Sequence, residues 1–229
     1  MTKAFTSTAS SRLFASLALA ALAGAASAAQ TGLAPFNLVG NATRVGTSVQ
    51  LTPPAANQVG AAWLNRPVDV TRSFEVRFSF SLSNGTFPQA DGIAFAIQAN
   101  GPAAIGGGGG SLGFEGLQGA GSVVQTYTNN HVGITIDANP ADAKPAPAQL
   151  GFAGDIEGWE VVAYDAFNHV LKMHGELTLD GTTYQVADGR QVDLTAVLGA
   201  DTGTIGMTGG SGDNFADQRV TAFSFKYLP

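Results

Sequence analysis

Residues 73–82, Ser73-Phe74-Glu75-Val76-Arg77-Phe78-Ser79-Phe80-Ser81-Leu82, alternate apolar and polar without a break. Successive side chains of a strand point to opposite faces, so this period of two places Phe74, Val76, Phe78, Phe80 and Leu82 on one buried face. Asn84-Gly85 then supplies a turn. A few residues later comes Ala90–Gly113, ADGIAFAIQANGPAAIGGGGGSLG. Here Ile93, Phe95 and Ile97 repeat the alternation between an acidic Ala-Asp-Gly corner and a glycine loop. A carboxylate at one mouth and bare backbone amides at the other suit a polar ligand rich in hydroxyls.

Outward from these two stretches the chain stays strand-like. Val132, Ile134 and Ile136 alternate, and further strands are expected over Trp159–Tyr164, Val170–Leu179, Thr183–Val186, Ile205–Met207 and Val220–Tyr227. Asp180-Gly181 has the composition of a tight hairpin turn. Asp193–Gly199 is the one short helical signal, closed by Gly199. Pro- and Ala-rich Asn139–Gln149 is expected to be an exposed loop. Many short strands broken by Gly, Pro and Asn predict an all-β sandwich or barrel, with no internal repeat and no linker to mark a second domain.

The 229 residues begin with a segment that reads as a secretory signal, residues 1–28. Lys3 and Arg12 form its basic start, Leu13–Ala25 its apolar run, and Ala26-Ser27-Ala28 a small-residue cleavage site. The run is shorter than the ~20 apolar residues that span a bilayer. No second such run follows, so export without a membrane span is expected, to the periplasm or beyond, with residues 29–229 as one domain. Removing the signal leaves nine basic against seventeen acidic residues, a net charge of −8. That balance, without a Lys/Arg cluster, argues against nucleic acid, anionic membranes and sulfated polymers as partners. With no cysteine, disulfides, zinc-thiolate sites and thiol catalysis are excluded. Heavy use of Ala and Gly with little Lys points to a bacterial source.

Several catalytic patterns match without their structural context. Gly109-Gly110-Ser111-Leu112-Gly113 satisfies G-x-S-x-G, and Gly108, Gly110 and Gly113 satisfy the dinucleotide fingerprint, but each needs a helix that LGFEGLQGAG does not provide. His131, His169 and His174 are too scattered to define a zinc site. Asp155 and Glu157 share a face if that segment is a strand, the arrangement glycoside hydrolysis would use. Gly158 interrupts the alternation before Glu160, so these acids are read as exposed loop residues. Asn41-Ala42-Thr43 and Asn84-Gly85-Thr86 fit the glycosylation acceptor but serve more simply as turns.

Taken in order, a set of short motifs resembles the L-type (legume-lectin-like) lectin domain. They are Phe36–Ala42, Val49–Thr52, Gly60-Ala61-Ala62-Trp63 with Pro67-Val68, Ala90-Asp91-Gly92-Ile93-Ala94-Phe95, and Gly109–Gly113. Thr126-Tyr127-Thr128-Asn129, His131-Val132-Gly133-Ile134, Val192–Thr195, Gly206–Gly210 and Phe223-Ser224-Phe225 complete the set. The resemblance covers nearly the whole mature chain. It implies a two-sheet antiparallel β-sandwich of the concanavalin A-like, legume-lectin jelly-roll type, binding glycans or glycoconjugates and non-enzymatic. Carried over by motif, Asp91 would accept sugar hydroxyls, Gly110 would donate its backbone N–H, and Asn129 its amide beside Tyr127. The loop Gly209–Asn214, with Gly210 and Ser211, would select the monosaccharide. The Ala90-Asp91 bond would be cis. The architecture also allows a homo-oligomer built through its flat sheet.

The resemblance further implies calcium and a transition metal held by a Glu and an Asp two apart before the TY-x-N motif. Val123 and Gln125 stand there; in the shifted register Gln125 and Tyr127 do. The loop that would carry another calcium-ligating Asp is reduced to Asn130. Only Asn129 and His131 remain of the ligand types, and a neutral amide with an imidazole cannot supply the six to eight oxygens calcium takes. The two-metal site is therefore expected to be lost, and a calcium ion would need another acid such as Asp137. A structural or adhesive sandwich without sugar binding is the second reading. A glycoside hydrolase is the third, and the E-x-D-x-E strand it would need is missing.

Overall fold

A computed structural model describes Leu33 and residues 35–229. The expected signal, residues 1–28, lies outside the described residues. The described residues form the antiparallel two-sheet sandwich. The first sheet runs in the order β1 (Phe36–Gly40), β4 (Val59–Leu64), β13 (Thr202–Gly210), β7 (Gly92–Gln98), β8 (Gly119–Gln125), β9 (His131–Ile136), with β5 (Val68–Asp69) beside β13. The second runs β12 (Thr182–Gln191), β11 (Val170–Leu179), β10 (Ile156–Asp165), β6 (Phe74–Ser83), β14 (Asp217–Tyr227), β3 (Ser48–Thr52), β2 (Thr43–Val45).

The main core lies between the sheets and is set by the alternation of β6: Phe74, Val76, Phe78, Phe80 and Leu82 are all buried in it. Phe78 stacks on Phe95 of β7 at 6.0 Å, joining the two layers. Ile93 and Ile97 enter the same core, whereas Ala94 and Ala96 on the other face of β7 enter a second one with Trp63, Val123, Leu112 and Phe114. The loop carrying Leu112 and Phe114 thus covers the outer face of the first sheet. Burial on both faces explains why β7 is apolar at nearly every position.

Turn chemistry follows the residues. Asp180 and Gly181 have φ of 50° and 79°, the left-handed pair a two-residue hairpin needs. The short helix α1 (Leu194–Leu198) is capped by Asp193, which accepts from the N–H groups of Thr195 and Ala196, and ends at left-handed Gly199.

Two expectations need correction. Residues 139–149 are not simply an exposed loop: Pro140 and Ala143 are buried, and the segment lies along β9 through Val132 N–H to Lys144 O (2.8 Å) and Ala146 N–H to Asn130 O (2.8 Å). Gly158 does not break its strand either. It takes an inward position of β10, where a Cβ would come within 2.5 Å of the Phe80 ring. The alternation therefore continues and carries Glu160 inward, fully buried rather than exposed.

Glu160 accepts a 2.7 Å hydrogen bond from Ser122 of β8, linking the sheets, and its other oxygen has no partner. Burial pushes its carboxyl up to about 7, against the Ser122 bond. The unfolded chain releases this proton near the ordinary value of 4.5, while the fold keeps it until about 7. Stability therefore falls as pH rises through that window, by roughly 3 kcal/mol if this group acts alone. Glu160→Gln is expected to remove that slope and to raise the urea midpoint above pH 7 relative to the parent; an unchanged pH profile would contradict the assignment.

Candidate functional site

The Ala-Asp-Gly corner enters β7 between the ends of β13 and β8. The Ala90-Asp91 bond is cis, as is Phe87-Pro88. Asp91 N–H donates to Gly210 O (3.1 Å) and Asp91 O accepts from Thr126 N–H (2.8 Å). Two residues earlier, Gln89 O accepts from Tyr127 N–H (3.1 Å) and from the Thr126 hydroxyl (3.1 Å). Gly92 must be glycine: φ is +122°, and a Cβ would stand 2.0 Å from Val124 O.

Two buried glutamines fasten this corner. Gln218 of β14 reaches across the core and donates its amide to Gly210 O (2.7 Å) and Ala90 O (3.3 Å). Gln125, at the end of β8, donates to Gly110 O at 2.6 Å, and its Oε1 faces His131 Nδ1 at 3.2 Å. The glycine loop is thereby tied to the strand beside Asp91. Neither glutamine is more than 2 % exposed, so neither amide is open to solvent.

Asp91, Gly109, Gly110, Tyr127, Gly212 and Asn214 line a cavity of about 290 Å³, with Ala90 and Asp213. The Asp91 carboxylate accepts from Gly212 N–H, but desolvation is the larger effect and raises its pKa above the usual carboxylate value. Oδ2 lies near both glycine walls, 3.7 Å and 3.5 Å from where side chains on Gly109 and Gly212 would begin. The wall is thus open because it is built of glycine. Asn129 is exposed on the adjoining turn, its Nδ2 3.3 Å from where a Cβ on Gly110 would sit.

Of the residues singled out from sequence, Asp91, Gly110 and Tyr127 line this cavity, and Asn129 borders it. Gly210 contributes backbone only, paired with Gly92. Ser211 does not line the cavity; it is buried, its hydroxyl accepting from Gln58 N–H (3.0 Å) and donating to Ala55 O (3.0 Å). Gln125 and Gln218 were not foreseen as supports, since nothing local distinguishes a bridging glutamine from any other. Asp155 and Glu157 do not converge: Asp155 borders a cleft with Asn84 and Phe87, whereas Glu157 lies on the outer face of the second sheet.

The positions that a metal pair would occupy hold unsuitable donors. Val123 is buried in the second core, and the Gln125 amide is committed to Gly110 and His131. The Asn130 side chain bridges Ala148 O and Leu150 N–H. Among the described residues no three His, Asp or Glu side chains gather to hold a metal, and Asp137 stands in no such group. These residues do not fit calcium, which takes six to eight oxygens with carboxylates among them.

Residues 29–228 match the profile of the legume lectin domain. Among solved structures, basic winged bean lectin with Tn-antigen is 26 % identical over 85 % of this chain and 93 % of its own, with a TM-score of 0.64. The lectin from Bauhinia forficata in complex with GalNAc is 21 % identical over 84 % and 92 %, with a TM-score of 0.68. Arcelin-5, a lectin-like defence protein from Phaseolus vulgaris, is 19 % identical over 85 % and 94 %, also at 0.68.

The support by Gln125 has a measurable size. Gln125→Ala removes the donor to the half-buried Gly110 carbonyl and is expected to destabilise the fold by about 1 kcal/mol in urea titration, with NMR shift changes centred on 109–111 and 129–131. Changes spread evenly over the chain would show that Gln125 is only a packing residue. Carbon-13 titration of Asp91 should give a midpoint above that of Asp69, whose hydrogen bonds with Thr71 lower it.

Proposed function

The chain belongs to the legume lectin domain family, and on that premise we propose that it is an exported, non-enzymatic carbohydrate-binding protein whose sugar site is the Asp91 cavity. One observation carries the reading: a sequestered carboxylate faces glycine backbone and an aromatic side chain in a cavity of about 290 Å³. A sugar presents vicinal hydroxyls and a C–H face. Asp91 would accept from the hydroxyls, Gly110 N–H and the Asn129 amide would donate, and Tyr127 would meet the C–H face. Residues Gly212–Asn214 border the space and would decide which hydroxyl configuration fits.

In this reading the site is held without metals. Neutral amides of Gln125 and Gln218 take the place of coordination, and Val123 supports the strand through apolar packing. Residues 1–28 are a cleaved signal of a bacterial protein and residues 29–229 its single domain; the family match beginning at residue 29 supports that boundary. Among the described residues no helix is long and apolar enough to cross a membrane. Glycans and glycoconjugates are the partners, and per-site affinity is expected to be weak, raised by multivalent presentation.

A second reading, a sandwich used for structure or adhesion without sugar binding, is favoured by Val123 and Gln125 at the donor positions. Glycan-array binding with and without EDTA separates the two. The first reading expects chelator-independent binding that Asp91→Ala and Gly110→Val abolish in folded protein. Gly110 is not in left-handed backbone, so a side chain there crowds Asn129 without strain in φ. Silence of the parent protein on every glycan, or binding indifferent to Asp91→Ala, would decide against the sugar site.

A further inference from the structure

The outer face of the second sheet carries a trough of about 360 Å³ that the Asp91 site does not use. It forms where β10 lies between β11 and β6. Trp159 is opposite Glu176 on one side and Ser79 on the other; Glu157 is opposite Thr178 and Ser81. Outward residues i and i+2 share a face, so these two cross-strand rows are neighbours. At the far edge Thr221 falls in an irregularity of β14 between Val220 and Ala222. Such a bulge turns an extra side chain toward the surface, and here it adds a hydroxyl to the trough.

The indole is fixed on several sides. Its N–H donates to Glu176 Oε2 at 3.1 Å, and Gln185 holds the other Glu176 oxygen at 2.7 Å. The Arg77 guanidinium lies 5.2 Å from the ring centroid, and His174 meets the ring edge-on at 6.0 Å. Neither Arg77 nor His174 lines the trough, so these contacts leave the trough side of the ring open. Glu157 has no hydrogen-bond or ionic partner there, and Ser79, Ser81, Thr178 and Thr221 supply the remaining polar atoms.

We propose that this trough is a second carbohydrate-binding site, for neutral oligosaccharides, independent of Asp91. An oriented indole offers a flat electron-rich surface to the C–H face of a pyranose. Glu157 and the hydroxyls accept and donate around the ring edge, with little ordering cost because Trp159 is already held. The lining has carboxylates and no Lys or Arg, which disfavours uronic or sulfated sugars. Its volume falls within the range usual for small-ligand pockets.

Trp63, the other of the chain's two tryptophans, is fully buried, so ligand-dependent fluorescence changes report on Trp159. The full chain carrying Asp91→Ala is titrated with cellohexaose, mannohexaose and maltohexaose, with a heparin hexasaccharide as the charged comparison. At least one neutral hexasaccharide should give a saturable fluorescence change and the heparin probe none. Ser79→Leu, which fills the trough but keeps the indole, should weaken binding about tenfold or more. Trp159→Ala should do the same by NMR titration, with circular dichroism confirming the fold. No saturable binding in Asp91→Ala protein, binding unchanged by Ser79→Leu and Trp159→Ala, or a dimer in sedimentation that Ser79→Leu dissociates would each overturn the proposal; the last would mean that a second copy covers the trough. Because Asp91 is absent throughout, failure here leaves the sugar reading of the Asp91 cavity standing.

Discussion

A backbone that turns sharply inside a protein must find partners for every N–H and C=O that water no longer reaches. That constraint governs the corner at residues 89–92. Strand ladders satisfy part of it, through Gly210 and Thr126. Gln218 serves Ala90 O within the corner and Gly210 O beside it, while Gln125 ties the adjacent glycine loop through Gly110 O. Gln218 comes from the second sheet, so the corner is anchored to both layers at once. The exposure of Asp91 to a cavity rests on this anchoring.

The two cores divide the labour differently. Between the sheets, aromatic and branched side chains from β6 and β7 fill a thick layer. Outside the first sheet half of the buried partners are alanines, with Trp63, Leu112 and Phe114 contributed by a neighbouring strand and the covering loop. Small residues let that loop approach closely and bring Gly109 and Gly110 alongside Asp91. The glycine loop is therefore placed by Leu112 and Phe114, which serve as its anchors.

The positions of β6 and β11 were legible in the sequence because one face of each meets solvent, so period-two alternation shows directly, whereas β8, buried on both faces, carries no such signal. The Asp-Gly hairpin and the Asp193–Gly199 helix were legible for a similar reason: their signals are local. What escaped was set by distant neighbours. Glu160 is an acid in an inward position because Ser122, far along the chain, stands opposite it. Residues 139–149 have loop composition, yet β9 offers them an edge. Of the proposed site, the corner and glycine loop could be read as motifs, whereas the roles of Gln125, Gln218 and Gly212 depend on three-dimensional proximity. Ser211 shows the reverse error, a polar residue in the right stretch whose hydroxyl serves its own loop.

The rim of the Asp91 cavity combines two kinds of structure. Asp91, Gly109 and Gly110 are locked to buried strands, whereas Asp213 and Asn214 belong to a connecting segment between β13 and β14. A lineage descending from such a chain can change the connecting segment without disturbing either core. Diversification of the rim and conservation of the corner would then be independent evolutionary variables, and the same separation makes residues 213 and 214 a natural place to randomise in a selection library.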